Sequence, residues 1–424
     1  MIIIFEHKQI GEGIFFNRIV DKRFEVNSFA VAFQSEFDEI SRPDYAAAAY
    51  MMSYCCKEYP ANALIEKHLS ELYDASLSSN IHFGKFKNRV VLLNAGAIDS
   101  SYAFGGEDLE AEISKLIRSC VIEPLTNGDA FDEKTTSIIR DEIIDSIDSV
   151  INEKSAYAAE QSNKTAYAGE CMETPILGTH EQAEKITPES AYAAYKRLLE
   201  TSQIEIYAAG SSDFNAAEEI LGSMFSDIKR GRIAKLEPSP SALKPKPVYV
   251  SDHFPMQQGI LRMTFKAPEL EDREAVSMLA MILGVLPTSR FFQNIREKQS
   301  LCYYCSCNPN KNLRTLTAYA GVQPENLKRT EEAIIAELEK IQKDGVTVEE
   351  IEMARLDAVN TMRSTYDSTS SLIAWYAGRS SADSFRSPEE QCKKLLEVDA
   401  ERIRAAARAY KLDTVYTLSG EDSE

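Results

Sequence analysis

The amino-acid sequence predicts an α+β protein made of two related domains, and three observations carry that prediction. The chain has 424 residues, more than one small core organises, so two or three domains are expected. Strand-length apolar runs and helical stretches are mixed without the strict alternation of a doubly wound sheet. The order of elements before residues 229–247 is repeated after them, and a single internal duplication accounts for this most economically.

Two strand-like runs open the first half. Gly13–Val20 is followed by Glu25–Gln34, where Val26, Phe29, Val31 and Phe33 give partial apolar alternation. Helical stretches follow at Asp44–Cys56 and Ala61–Tyr73, then strands near Ala75–Phe83 and Asn88–Ala95. The pattern next turns helical. Leu109–Leu125 places Ile113, Leu116, Ile117 and Val121 on one stripe, and Glu133–Ile151 does the same with Ile138, Ile139, Ile143, Ile144 and Ile147. Thr187-Pro188 supplies an N-cap and a first-turn proline for a helix to Leu199. A strand at Ile204–Ala209 and a helix to Phe225 complete this half.

Residues 229–247, KRGRIAKLEPSPSALKPKP, interrupt the periodicity with four prolines and several lysines. This is the best linker candidate, and it divides the chain into domains 1–228 and 248–424. The second half then repeats the order. A strand at Gln258–Phe265 leads to helical stretches at Asp272–Leu286 and Ser289–Lys298, then to strands at Leu301–Cys307 and Thr315–Val322. Gly345 suits the end of a helix closing near Ile341, and Thr347 with Glu350 has capping-box spacing for the next. A helix to about Tyr410 and a strand at Val415–Ser419 end the pattern. The run from Leu64 to Leu77 and the run from Phe291 to Leu301 match weakly, each passing from helix into strand.

Composition excludes several classes. Hydrophobic residues make up 44% and charged residues 27%, with a net charge of −19. No dense Lys/Arg stripe of the kind nucleic acid requires is present. The acidity reads first as a solvated surface, with attraction of basic peptides as the functional alternative. The apolar run Ile2–Phe5 is far shorter than a signal-peptide core, and no stretch approaches the roughly 20 apolar residues of a membrane span. A cytoplasmic protein without a membrane partner is expected. The eight cysteines, at 55, 56, 120, 171, 302, 305, 307 and 392, then read as free thiols. Cys302, Cys305 and Cys307 resemble half of a metal site, but no second Cys/His pair lies nearby and the stretch suits a strand.

The five histidines are His7, His68, His82, His180 and His253. No two have the spacing by which a helix aims both at one ion. His68-Leu-Ser-Glu71-Leu72 has the first His and the Glu of His-x-x-Glu-His, but Leu72 stands at the second ligand position, so His68 reads as a surface residue of an amphipathic helix. Phosphate-binding and dinucleotide-binding glycine motifs and the serine elbow are also absent. Taken alone, Arg296 beside Glu297 is a solvated helix charge, and Tyr303 is a residue of an amphipathic strand.

The segment from Ser289 to Tyr304, SRFFQNIREKQSLCYY, resembles a signature of the pitrilysin family of zinc peptidases. That family includes insulin-degrading enzyme and the mitochondrial processing peptidases. The signature is an Arg near a helix end and a Tyr seven residues later on the following strand, and Arg296 and Tyr303 match both. The strand beginning Gln257-Gln-Gly-Ile-Leu, the Thr187-Pro-Glu-Ser helix with the Ile204–Gly210 strand, and the opening strands extend the likeness over most of the chain. The resemblance implies two similar α+β domains of the pitrilysin-like (mitochondrial processing peptidase-like) fold, forming a half-clamshell.

In active members of that family, the first helix carries His-x-x-Glu-His, followed about ten residues later by a proline. Anchored on Pro60, those five positions fall on Ala46, Ala47, Ala48, Ala49 and Tyr50. The zinc-ligand positions Ala46 and Tyr50 and the catalytic-Glu position Ala49 are therefore degenerate, and Glu142 is the nearest residue to the third ligand position. No histidine lies between His7 and His68, so shifting the alignment restores nothing. Neither a hydrolytic zinc nor its general base is expected in this chain. Arg296 and Tyr303, by resemblance, donate to the carbonyl oxygen of a scissile peptide as charge develops there.

The leading expectation is a non-catalytic subunit of a heterodimeric zinc metalloendopeptidase, with zinc in a homologous partner and a peptide as substrate. The alternative is an inactive scaffold or peptide-binding pseudoenzyme. A third reading is a peptidase with an unrecognised site around His68, His82 or His180.

Overall fold

The computed structural model describes residues 4–377 and 385–420, so the apolar run Ile2–Phe5 lies partly outside the described residues. Two compact units are present. The first comprises Met1–Ser149, Pro175–Glu237 and Thr365–Phe385; the second comprises Val150–Thr174, Pro238–Ser364 and Arg386–Glu424. Their main boundary falls between Glu237 and Pro238, inside the proline-rich stretch. The units are nevertheless not continuous in sequence, because each takes a segment from the far side of that boundary.

The first unit is built on strands β1 (Ile4–Gly11), β2 (Ile14–Val20), β3 (Val26–Ser35), β4 (Ser76–Phe83), β5 (Arg89–Ile98) and β6 (Gln203–Gly210). They lie in the order β1-β2-β6-β3-β5-β4. The second unit uses β7 (Val248–His253), β8 (Gly259–Lys266), β9 (Cys302–Asn310), β10 (Thr315–Val322) and β11 (Lys411–Ser419). Their order is β7-β11-β8-β10-β9. With β1 set aside, both sheets run first, last, second, fourth, third. In both, the first and last strands pair in parallel and every other pairing is antiparallel. The α+β duplication expected from the sequence is present strand for strand.

Local chemistry explains the helix ends. Thr187 and Ser190 cap each other reciprocally ahead of Pro188, and Thr347 and Glu350 exchange bonds of 2.8 and 3.2 Å. Gly345, at φ 79°, ends the helix Leu327–Asp344 in a backbone region open to glycine. Each sheet buries one face against its own helices. In the first unit, Ile113, Leu116, Ile117, Ile139 and Ile143 pack with Phe29, Val31 and Phe33. In the second, Met278, Leu279, Ile334 and Ile403 pack with Leu261, Met263 and Phe265.

Among the elements that sequence periodicity misses, three shape the sheets and their cover. β1 is an edge strand with polar residues on both faces, and β7 has only six residues directly after the prolines. The helix Lys154–Ala166 buries only the small residues Ala158, Ser162 and Ala166, so no large apolar stripe marks it. It belongs to the second unit, where Ala158 joins Ile260, Tyr416 and Leu418. Its C-terminal end is held by a buried polar hub. Lys266 Nζ donates to Ala166 O (2.5 Å) and Ala242 O (2.9 Å) and lies 3.5 Å from Asp413. Asp413 also accepts from Lys244 Nζ at 2.7 Å and Thr414 Oγ1 at 2.8 Å.

A second buried polar group spans the first sheet. Glu205 on β6 is fully enclosed and accepts from Asn17 (2.8 Å) and Gln203 (2.9 Å). Burial pushes its carboxyl up to about 7, against the opposing pull of those two hydrogen bonds. A folded-state value above the ordinary 4.5 means that the folded protein holds the proton longer than the unfolded chain does. Stability is therefore lost as pH rises from 4.5 through about 7. Thermal midpoints measured across that window are expected to fall with pH in the native chain and to fall less in Glu205→Gln. Equal slopes would contradict the assignment.

Candidate functional site

The site is assembled on β9 and the helical turn before it. The helix Arg273–Ala280 continues into widened turns at Met281–Val285, and Phe291–Glu297 is another such turn. Their hydrogen bonds reach five residues back, from Leu286 N to Met281 O (3.2 Å) and from Lys298 N to Gln293 O (3.1 Å). Widened turns of this kind recur at functional sites. Phe291 and Ile295 are fully buried, and this i, i+4 pair fixes the rotation of the turn. The next pair, Phe292 and Arg296, therefore faces outward. The Arg296 guanidinium lies 4.7 Å from the Phe292 ring centre, with Glu297 Oε1 3.8 Å from its Nε.

Ser300 reverses the chain with φ 52°. Its N–H donates to Arg296 O at 3.1 Å, and Leu301 N–H donates to Ile295 O at 3.1 Å. The first unit ends the helix Asn62–Glu71 in the same way. Tyr73 and Asp74 have φ 58° and 61°, and Ala75 N–H reaches back six residues to Leu69 O at 3.0 Å. Superposing the two six-residue closures sets Arg296 against Ser70 and Tyr303 against Leu77. The Arg/Tyr pair thus belongs to the second unit alone.

Tyr303 sits on a β-bulge. β10 pairs Gly321 with Tyr304 but Val322 with Cys302, which leaves Tyr303 as the extra residue. In an unbroken strand Tyr303 would share the inward face of Cys305 and Cys307, both buried. The bulge instead turns it out to 54% exposure. Gly284 allows the preceding turn to lie against this strand, since a Cβ there would meet Cys307 N at 2.8 Å and Phe291 Cδ2 at 2.6 Å. Arg296 and Tyr303 consequently line one groove of about 400 Å³ with Ser300, Cys302, Gln323 and Asn326. The Cys302 thiol is held below its ordinary value, first by the Cys305 S–H and then by the nearby Arg296 guanidinium, with burial opposing both. Glu297 also lines the groove, so this surface beside a sheet edge sets a guanidinium and a phenol next to one carboxylate. The guanidinium and the phenol O–H can polarise a carbonyl.

The positions expected from the zinc motif lie in the first unit. Ala46, Ala47, Ala48 and Ala49 are wholly buried on the helix Arg42–Tyr54, where methyl groups let it pack closely and offer no lone pair to a cation. Tyr50 is half-buried. Burial raises its phenol, and the Glu142 carboxylate raises it further. A neutral phenol, one exposed carboxylate and an alanine do not fit zinc. Among the described residues, no three of His, Cys, Asp and Glu converge as a metal set.

The histidines are engaged separately. His68 stacks on Tyr59 with ring centres 4.9 Å apart, His82 Nδ1 is 3.0 Å from Phe83 O, and His180 Nδ1 is 2.9 Å from Asp148. Cys302, Cys305 and Cys307 are all free.

A profile of the family described as "Peptidase M16 inactive domain" matches residues 185–356. The chain is 24% identical over 375 residues to the probable inactive metalloprotease YmfF of Bacillus subtilis (strain 168), with 86% of each protein covered. Its fold is similar to that of a conserved protein from Enterococcus faecalis V583, with TM-score 0.86, 19% identity and 99% of each chain covered. The peptidase M16 inactive domain from Pseudomonas fluorescens is also similar, with TM-score 0.81, 15% identity and 99% of each chain covered.

Proposed function

We propose that this chain, which belongs to the pitrilysin-type (M16) peptidase family and carries no His-x-x-Glu-His motif, is the non-hydrolytic subunit of a two-chain zinc endopeptidase. The observation that carries the reading is the pairing of Arg296 and Tyr303 in one groove of a chain whose zinc-motif positions offer no ligands. Two aligned donors beside an exposed strand edge suit an extended peptide. The strand edge positions the backbone, while the guanidinium and the phenol O–H meet a carbonyl oxygen as it gains charge. A homologous partner supplies zinc and the base. Two copies of this chain would bring together two donor pairs and no nucleophile, which favours a hetero-oligomer.

A second reading, a peptide-binding scaffold without hydrolysis, draws on the Bacillus subtilis relative, which is described as inactive. No helix among the described residues is long and apolar enough to cross a membrane. A cytoplasmic setting remains part of the proposal.

The test is a native pull-down of the tagged chain from its own cells. A similar-sized homologue bearing His-x-x-Glu-His is expected to co-purify. Its absence, in cells shown to express one, would transfer the case to the scaffold.

A further inference from the structure

The face of the second sheet opposite its main core carries an arginine, Arg262, for which no carboxylate partner is found among the described residues. Arg262 on β8 lies between Tyr319 on β10 and Tyr416 on β11 in the strand register. Its Nε is sealed from water and has no hydrogen-bond partner among the described residues. Burial works against its charge, and the phenols of Tyr167, Tyr319 and Tyr304, with no carboxylate among them, are the groups that favour it. Tyr167 among these, and Tyr416 beside them on β11, are closed off or occupied elsewhere. Tyr416 donates to Asp252 at 2.8 Å, and Tyr167 is buried 3.3 Å from Thr315 Oγ1.

The guanidinium carbon is 5.9 Å from the Tyr319 ring centre, at the outer limit of a cation–π contact. The Tyr304 ring is 6.3 Å from that of Tyr319 and is exposed. Tyr304 lies flat over Gly321, where a Cβ would come within 2.3 Å of its Cε1. The result is a desolvated cation with two phenol donors at a surface, next to the residue that lines the Arg296 groove.

We propose that Arg262, Tyr304 and Tyr319 form a carboxylate-binding subsite for peptides held by this unit. The inference rests on the peptide-binding part of the function proposed above. A guanidinium withdrawn from water without a counterion is unfavourable in the free protein. A carboxylate arriving from a ligand would restore the missing pair with charge-assisted, two-pronged geometry, and phenol O–H groups would complete its shell. The carboxylate could be an Asp or Glu side chain or a C-terminus, since the chemistry is the same. The net charge of −19 repels acidic peptides in general, so a preference for them would mark a local cation.

The experiment is calorimetric titration of the full chain with three unstructured decapeptides that differ only in where a carboxylate is carried. One is amidated and free of acid, one has a free C-terminal carboxylate, and one is amidated with a central Glu. Either or both carboxylate-bearing peptides are expected to bind about tenfold more tightly than the neutral one, and which of them does identifies the source. Arg262→Met is expected to abolish that preference and to raise the thermal midpoint, because an uncompensated cation has gone; a purely structural arginine would lower it. Tyr304→Phe, at an exposed ring, is expected to narrow the preference about threefold and serves if the Met variant does not fold. Equal affinity for all three peptides, or a preference that survives Arg262→Met, overturns the subsite alone. Absence of binding by every peptide overturns the subsite and the peptide-binding reading together.

Discussion

Replacing Arg296 with Ala is expected to lower turnover by the assembled two-chain peptidase about 100-fold, with assembly unchanged. The magnitude is that of removing one preorganised donor aimed at a developing oxyanion. The specificity of the effect follows from exposure. The Arg296 side chain is 41% exposed, and its contacts are with Phe292 and Glu297 beside it, so the fold does not depend on it. Tyr303→Phe removes a single neutral hydrogen bond from an equally exposed ring and should reduce turnover about tenfold. The two losses should be less than additive, because both groups serve one oxygen. Single-turnover rates on the purified complex provide the measurement. A double variant that cleaves at the native rate would remove the pair from the mechanism.

The second large effect concerns folding. Asp413→Ala should destabilise the second unit by about 3–5 kcal/mol, the range for stranding a buried charge. Lys266 is 1% exposed and Asp413 is fully enclosed, so the variant leaves a buried ammonium group with two carbonyls and the Tyr167 ring but no carboxylate bonded to it. Lys266→Met should cost less, because Asp413 keeps Lys244 at 2.7 Å. Burial raises the Asp413 carboxyl, but the bonds from Lys244 and Thr414 outweigh burial and hold it below 3.8. Its contribution is therefore present above that value and lost as pH falls through the lower folded one. Urea denaturation at neutral pH measures the difference. A loss under about 1 kcal/mol, within the range of ordinary surface changes, would show that the hub does not hold the unit together.

The parts of this molecule that sequence could reveal are those governed by local rules. The caps at Thr187 and Thr347, the stop at Gly345 and most of the strands in each half all follow from residue chemistry within a few positions. Arg296 and Tyr303 emerged from a resemblance of one short segment, and the structure places both at one groove. What sequence hid depends on partners distant in the chain. The bulge at Tyr303 exists because β10 pairs Val322 with Cys302, and alternation along β9 alone would turn that tyrosine inward. Arg262 reads as an ordinary strand residue until Tyr319 and Tyr304 arrive from other strands. The helix Lys154–Ala166 carries no large apolar stripe, so its place in the second unit was not visible either.

The exchange of segments between the units has a consequence for synthesis. The first unit takes Thr365–Phe385, and the second takes Val150–Thr174. A ribosome that has finished residue 237 has made most of the first unit but not its last piece. At about 5–20 residues per second the remainder follows only after on the order of ten seconds. During that interval the nascent first unit is incomplete, and one helix that has already emerged, Lys154–Ala166, belongs to a sheet not yet translated. Neither half of the gene therefore encodes an autonomous folding unit. Two polypeptides cut between residues 237 and 238 would each be deficient alone and could recover structure only by finding each other.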